Sequence, residues 1–351
     1  MAGITLEEIL SQPGVWQKAL ATLSDDHEVL QQYLHQSANL ETVFIGCGTS
    51  YYLALSAARL YSLVTGQRSR ASAASEVLFF PETIMPGNGH SCMPVMISRS
   101  GATTEIVRAT EEIKSRVGDI VTGVSCRPES EMIRSCRFRF VIPAADEKSV
   151  VMTRSFTSML LLIQYLAAVK SGNKGFEEAL LRLPELGANI IDKYHGLIKM
   201  IFEGRGFTTF VYLGQGPYYG LACEAMLKIK EMSLSFSEAY HSLEFRHGPM
   251  SMVNENMLLI FLISERARMK ETILLEEMKA LGAQTLVLCE TADPAIRAAS
   301  DYLIELRSGL SDEARMILYM PAVQLLGYYN SIAKGLDPDN PKNLTQVVIL
   351  N

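Results

Sequence analysis

Residues 43–58 read VFIGCGTSYYLALSAA, and residues 211–226 read VYLGQGPYYGLACEAM. The two stretches lie 168 residues apart and are identical at seven of sixteen positions. Each is an apolar run of strand length, then a Gly-x-Gly turn, then an Ala- and Leu-rich segment with helical spacing. A second pair follows at nearly the same offset. PVMISRSGATTEIVRATEEIKSRV (94–117) stands against LIFLISERARMKETILLEEMKALG (259–282), and a further apolar run comes next in each, DIVTGVSC (119–126) and QTLVLCE (284–290). Strands alternating with helices of these lengths predict βαβ crossovers and a parallel sheet covered on both faces. The repeat therefore predicts an α/β protein made by tandem duplication of one doubly wound unit, joined in the helical stretch between Gly172 and Gly204. The predicted division is a helical segment over 1–38, a first domain over 39–185, a second over 186–335, and a tail over 336–351. Pro338 and Pro341 should keep that tail extended.

The 351 residues suit about two domains of ~150 residues. A hydrophobic fraction of 48% with 20% charged residues is globular composition and excludes a disordered or fibrous chain. The net charge of −6 gives no general attraction to nucleic acid or an anionic membrane, so any bound anion must be held locally. Six cysteines, at 47, 92, 126, 136, 223 and 289, have neither CxxC nor metal-ligand spacing. They read as buried free thiols in a reducing compartment. With no signal peptide pattern and no apolar stretch of membrane-spanning length, a cytoplasmic location is expected. HExxH is absent, the histidines lack metal spacing, and no metal is expected.

In an open α/β sheet ligands bind at the carboxyl ends of the strands. Two turns of the first half fall there. Gly46-Cys47-Gly48-Thr49-Ser50 lacks the third glycine of a dinucleotide fingerprint and reads equally as a tight strand-to-helix turn. Ser98-Arg99-Ser100-Gly101-Ala102-Thr103-Thr104 carries four hydroxyls, one glycine and a helix start, the donors a phosphate monoester needs; the plain alternative is a polar capping loop. The matching turn of the second half, Ser264-Glu265-Arg266-Ala267, has an acidic residue where the first has Arg99 and lacks the following hydroxyls. Only the first half is expected to hold phosphate. In the second half, Glu224, Lys228 and Glu231 share a helical face, suited to general base work or to a solvent-exposed ion-pair stripe. His247 of His-Gly-Pro sits on a predicted loop, as an acid/base candidate or a plain surface histidine.

Taken together, LEEILSQPGVWQKAL, GCGTSYY, ISRSGATTE, MTRSFTSMLLL, EAMLKIKEMS, SEAYHSLEFRHGP and GLDPDNPKNLTQVVIL span nearly the whole chain and resemble the sugar isomerase (SIS) domain family. Within it the chain is most similar to the isomerase half of the glucosamine-6-phosphate synthases. The resemblance implies tandem SIS domains, each a flavodoxin-like parallel sheet sandwiched by helices, in a homodimer with sites between subunits. It implies that Cys47, Gly48, Thr49 and Ser50 line the sugar pocket, and that Ser98, Arg99, Ser100 and Thr103 form the phosphate loop, with Arg99 in place of the usual glutamine. Glu231 matches the glutamate that moves a proton between the first two sugar carbons, Lys228 its neighbouring lysine, and His247 the ring-opening histidine from the other subunit. Gln346 stands where the synthases carry a lysine that reaches the sugar, and Met152 where they carry a serine. A neutral amide cannot form an imine, which argues against amino transfer by the synthase route. No glutaminase is expected, since 351 residues leave no space for one beside two SIS domains. The implied activity is cofactor-independent isomerisation or deamination of a hexosamine 6-phosphate, with no nucleic-acid or membrane partner. A deglycase acting on an Amadori-product 6-phosphate and a non-catalytic phosphosugar sensor are the alternatives.

Overall fold

The computed structural model describes residues 3–25, 27–85, 92–204 and 206–350. The chain forms two units. One is Ser11–Pro184 with Thr345–Asn351, and the other is Met1–Leu10 with Glu185–Leu344. Residues 3–10 thus belong with the second half of the chain, and residues 345–350 with the first half.

The first unit holds β1 (Glu41–Gly46), β2 (Ser69–Ala73), β3 (Cys92–Ile97), β4 (Thr122–Ser125) and β5 (Phe138–Val141), all parallel, in the order β2-β1-β3-β4-β5. The second holds β6 (Thr209–Gly214), β7 (Phe236–Tyr240), β8 (Met257–Leu262), β9 (Gln284–Cys289) and β10 (Tyr302–Glu305) in the mirrored listing β10-β9-β8-β6-β7, which is the same topology. The duplicated α/β fold read from the sequence is the fold observed. The short strands β2, β5, β7 and β10 escape a reading by apolar runs; β2 is Ser-Arg-Ala-Ser-Ala and only Ser72 of it is buried.

Each chain half leaves its first strand in one direction to reach its second, then returns to the other side to lay down the rest. Right-handed crossovers therefore put the helices on opposite faces of the sheet. In the second unit, the Tyr218–Ser233 helix follows β6 on one face, while the Arg268–Ala280 and Pro294–Ala299 helices cover the other. The latter face is closed by a core of Val211, Leu213, Leu259, Phe261, Leu274, Leu275, Met278 and Ile296, to which Phe245 contributes. In the first unit the corresponding core joins Val43, Ile45 and Met96 to Ile106, Ala109 and Ile113 of the Thr104–Val117 helix. On its opposite face Trp16 donates from Nε1 to Thr157 Oγ1 at 2.8 Å, and Thr157 donates on to Gln12 Oε1 at 2.7 Å, so these three buried polar groups satisfy one another.

The repeated Gly-x-Gly has one physical cause in both halves. A Cβ on Gly46 would stand 2.5 Å from the Ser50 carbonyl, and one on Gly214 would stand 2.5 Å from Tyr218 O. The helix that follows each strand starts so close to it that only glycine fits. The second glycine of each turn, Gly48 at φ +51° and Gly216 at φ +61°, reverses the chain in the left-handed region.

Candidate functional site

In the first unit the sheet order reverses between β1 and β3, whose residues Ile45 and Met96 are register partners. The turns after these two strands therefore open side by side at the switch point, where such sheets bind ligands. They are the two turns singled out in the sequence. Thr49 and Ser50, at the start of the Thr49–Thr65 helix, are nearly buried. Gly48 caps that helix through its backbone. The Cys47 side chain packs against the apolar core, and burial, with the Glu105 charge beside it, pushes its thiol up to about 12. It stays a neutral thiol and offers no nucleophile.

In the second turn Gly101 N donates to Ser98 Oγ at 3.0 Å and Ala102 N to Ser100 Oγ at 3.3 Å. Each serine uses an acceptor site on the loop itself, which leaves its O–H to donate. Thr103 precedes the Thr104–Val117 helix and its hydroxyl makes no capping bond to that helix. Gly101 is required by φ +58° and by Ser130, whose Oγ would lie 2.1 Å from a Cβ.

Two of the residues that the resemblance assigns to the site are engaged within the protein. Arg99 does not turn toward this cradle. Its guanidinium is 4% exposed and donates to Ser149 O at 3.2 Å, Val150 O at 3.3 Å and Gln346 O at 3.1 Å, with Glu147 Oε2 at 3.7 Å. A buried cation surrounded by carbonyls and one carboxylate is committed to the protein. Gln346 is not presented to a ligand by its amide nitrogen either: Nε2 donates to Glu147 O, Lys148 O and Ser149 O at 3.0, 3.3 and 3.2 Å. Nor are all six cysteines buried, because Cys47 is intermediate.

In the second unit the exposed-stripe reading of Glu224, Lys228 and Glu231 fails. Glu224 and Lys228 are fully buried, and only the Glu231 side chain keeps 18% exposure. Their helix lies tightly on the Met320–Ala333 helix, where Gly327 leaves room for Met232 and the Lys228 carbonyl. Lys228 Nζ sits 3.2 Å from Glu224 Oε1 and 2.5 Å from Glu231 Oε2. Burial works against the Lys228 ammonium, but the two carboxylates outweigh it and hold its pKa above the ordinary lysine value. Lys228 is therefore a fixed cation, and Glu231 is the solvent-facing end of the array.

His247 ends the short 3-10 segment Ser242–Arg246 and is exposed. That segment packs through Phe245 into the core on the sheet face opposite the Glu231 helix. Glu231 and His247 therefore lie on opposite faces of one sheet and do not meet within this unit.

How the second switch point is filled was not legible in the sequence. Glu265 N and Arg266 N donate to the two carboxylate oxygens of Asp312 at 2.9 and 3.2 Å, and Arg315 caps the same carboxylate. Strand register aligns Leu213 with Phe261 as it aligns Ile45 with Met96. Glu265 thus corresponds to Ser100, one residue along from the sequence pairing with Arg99. Here a carboxylate of the chain itself takes the place an anion would occupy. Asp312 lies far from the turn in sequence, and no periodic signal marks it. His241, which stacks on Tyr219 with ring centroids 3.9 Å apart, was likewise not legible. Among the described residues, no group of three or more His, Cys, Asp or Glu is arranged to hold a metal, and no helix is long and apolar enough to cross a membrane.

Comparison with known proteins places these features in a class. The SIS domain model matches residues 36–169 and 208–326, one match on each sheet, and the chain belongs to the SIS domain family. Glutamine–fructose-6-phosphate aminotransferase [isomerizing] of Methanothermobacter thermautotrophicus is 27% identical over 349 residues, covering 98% of this chain and 57% of that protein. The chain thus spans little more than half the length of such relatives. The crystal structure of glucosamine-6-phosphate deaminase from Thermotoga maritima is 30% identical with a TM-score of 0.78, covering 99% of this chain and 100% of that one. Tagatose-6-phosphate ketose/aldose isomerase from Escherichia coli has the same fold, with a TM-score of 0.88 at 22% identity, covering 100% of this chain and 96% of that one.

Proposed function

We propose that this protein is an enzyme of amino-sugar metabolism that isomerises or deaminates a hexosamine 6-phosphate by general acid/base catalysis from its own side chains. The observation that carries this reading is Glu231, a carboxylate at the edge of a buried array whose position is fixed by the Lys228 cation. The similarity to the deaminase along the full length of both chains supports the substrate class.

In this reading the hydroxyls of Ser98, Ser100 and Thr103 hold the 6-phosphate, and Thr49 and Ser50 face the sugar. His247 moves the proton that opens the ring. Glu231 then removes the proton from C2 and returns it at C1, leaving C2 as a carbonyl or, in a 2-amino sugar, as an imine. Water adding to that imine expels ammonia and leaves the ketose phosphate, so glucosamine 6-phosphate and water give fructose 6-phosphate and ammonia. The opposite-face positions of Glu231 and His247 in one unit support a homodimer in which His247 serves the partner's Glu231. A cytoplasmic location goes with this reading.

The test is incubation with glucosamine 6-phosphate, and separately with fructose 6-phosphate, followed by NMR and an ammonia assay. Ammonia with fructose 6-phosphate identifies a deaminase, and isomerised sugar without ammonia an isomerase. Silence with both overturns the reading in favour of a deglycase or a sensor. Glu231→Gln should abolish turnover and leave binding intact. Mixing the inactive Glu231→Gln and His247→Ala proteins should restore activity if the site is shared between subunits.

A further inference from the structure

The C-terminal segment engages Thr104 and Arg99 of the phosphate turn. Thr104 N donates to Val348 O at 3.2 Å, and Leu350 N donates to Thr104 Oγ1 at 3.0 Å. One amide and one hydroxyl at the start of the Thr104–Val117 helix therefore belong to the tail. Arg99, inside the same turn, holds the Gln346 carbonyl with one arm of its guanidinium and Ser149 O and Val150 O with the other. The Gln346 amide then fastens the tail to the carbonyls of residues 147–149. Behind this, Glu147 accepts from Thr153 N, Thr153 Oγ1 and Arg154 N at 2.6, 2.6 and 2.7 Å and sets the start of the Arg154–Ser171 helix.

We propose that Arg99 is a positioning residue that latches the C-terminal segment onto the phosphate turn, so that docking of residues 345–350 and binding of a phosphate monoester are thermodynamically linked. The guanidinium is suited to this because it is planar, permanently charged and able to reach three carbonyls from one side chain. A lysine carries the charge but not the fork. With the tail docked, the turn is held from both sides and Ser98, Ser100 and Thr103 remain for the ligand. Linkage is reciprocal: a ligand that prefers the docked turn must also tighten the tail. The inference deepens the phosphosugar reading and rests on it only for the identity of the ligand.

The experiment is a double-substitution cycle in the full chain with Arg99→Lys and Gln346→Ala, with two readouts. Hydrogen exchange of the amides of residues 346–350 reports the tail, and calorimetric titration with glucosamine 6-phosphate and with inorganic phosphate reports the turn. Arg99→Lys should speed tail exchange without ligand and weaken binding about tenfold, while keeping a positive charge beside Glu147. Glucosamine 6-phosphate should slow tail exchange in the wild type. Once Gln346→Ala has loosened the tail by removing its bonds to the carbonyls of residues 147–149, adding Arg99→Lys should weaken binding by less than about twofold, because both substitutions act by undocking the same segment. Equal losses from Arg99→Lys in both backgrounds, or unchanged tail exchange in that variant, would overturn the latch. If the wild type binds neither probe, the phosphosugar reading and the linkage fall together, while tail exchange in Arg99→Lys still decides the latch. The melting temperature of Arg99→Lys separates a released tail from general loss of fold.

Discussion

Glu224 and Lys228 stand 3.2 Å apart on successive turns of one helix, and neither side chain has any exposure. With Glu231 on the same ammonium, one cation serves two carboxylates. Removing the cation alone leaves uncompensated charge in a site that water cannot reach. Lys228→Met should therefore cost about 3–5 kcal/mol in urea unfolding. The double variant Glu224→Met, Lys228→Met removes the buried pair together and should recover most of that loss. Unchanged stability in Lys228→Met would mean that the pair is solvated.

Ser98 and Ser100, in the turn proposed to hold phosphate, are each engaged by a backbone amide and retain a hydroxyl proton. Replacing both Ser98 and Ser100 by alanine removes two donors and loosens the loop. KM for a phosphorylated substrate should rise at least tenfold, with a smaller effect on kcat. A steady-state comparison of phosphorylated and unphosphorylated sugars checks this, since only the former should be affected.

Glu271 is buried behind the His247 loop, where it accepts from Ser242 Oγ at 2.6 Å and from Ser264 N at 3.1 Å. Burial pushes its carboxyl from 4.5 up to about 7, with the Asp312 charge adding to the rise against the pull of those two donors. A folded pKa raised above the unfolded value means that the folded state binds the extra proton. The stabilisation is complete below about pH 4.5 and is lost as pH rises through about 7. Glu271→Gln should match the wild type near pH 5 and lack its decline in melting temperature between pH 5 and 8. Parallel curves for the two proteins would remove Glu271 as the cause.

Asp312 fills the second switch point, and Arg315 depends on it. Asp312→Ala should lower stability by about 2–4 kcal/mol, since it leaves a buried guanidinium short of its carboxylate. It also vacates two amide donors. Inorganic phosphate should then raise the melting temperature of the variant by more than it raises that of the wild type. An equal response in the two proteins would argue that the cradle does not accept an anion.

Much of this arrangement was legible before the structure. The spacing of Gly46 and Gly48, repeated at Gly214 and Gly216, predicted strand, turn and helix in both halves, because close helix approach and left-handed φ leave few choices of residue. Clustered hydroxyls at 98–104 likewise pointed to the turn at the first switch point, since local sequence places a turn at the end of its own strand. The burial of Glu224 and Lys228 was not legible. An i,i+4 pair has the same spacing whether it faces water or the Met320–Ala333 helix, and packing between distant elements alone selects one.

By itself the sequence determined two doubly wound α/β units, the family to which they belong, and the residues at the strand ends, because these follow from local periodicity and turn chemistry. The tertiary structure alone decided that Arg99 faces Gln346, that Asp312 occupies the second cradle, and that Glu231 and His247 lie on opposite faces of one sheet. The physical reason is the same in each case: a long polar side chain is directed by whichever unpaired group the fold brings within reach. That partner comes from a segment remote in sequence, whose proximity no local pattern encodes.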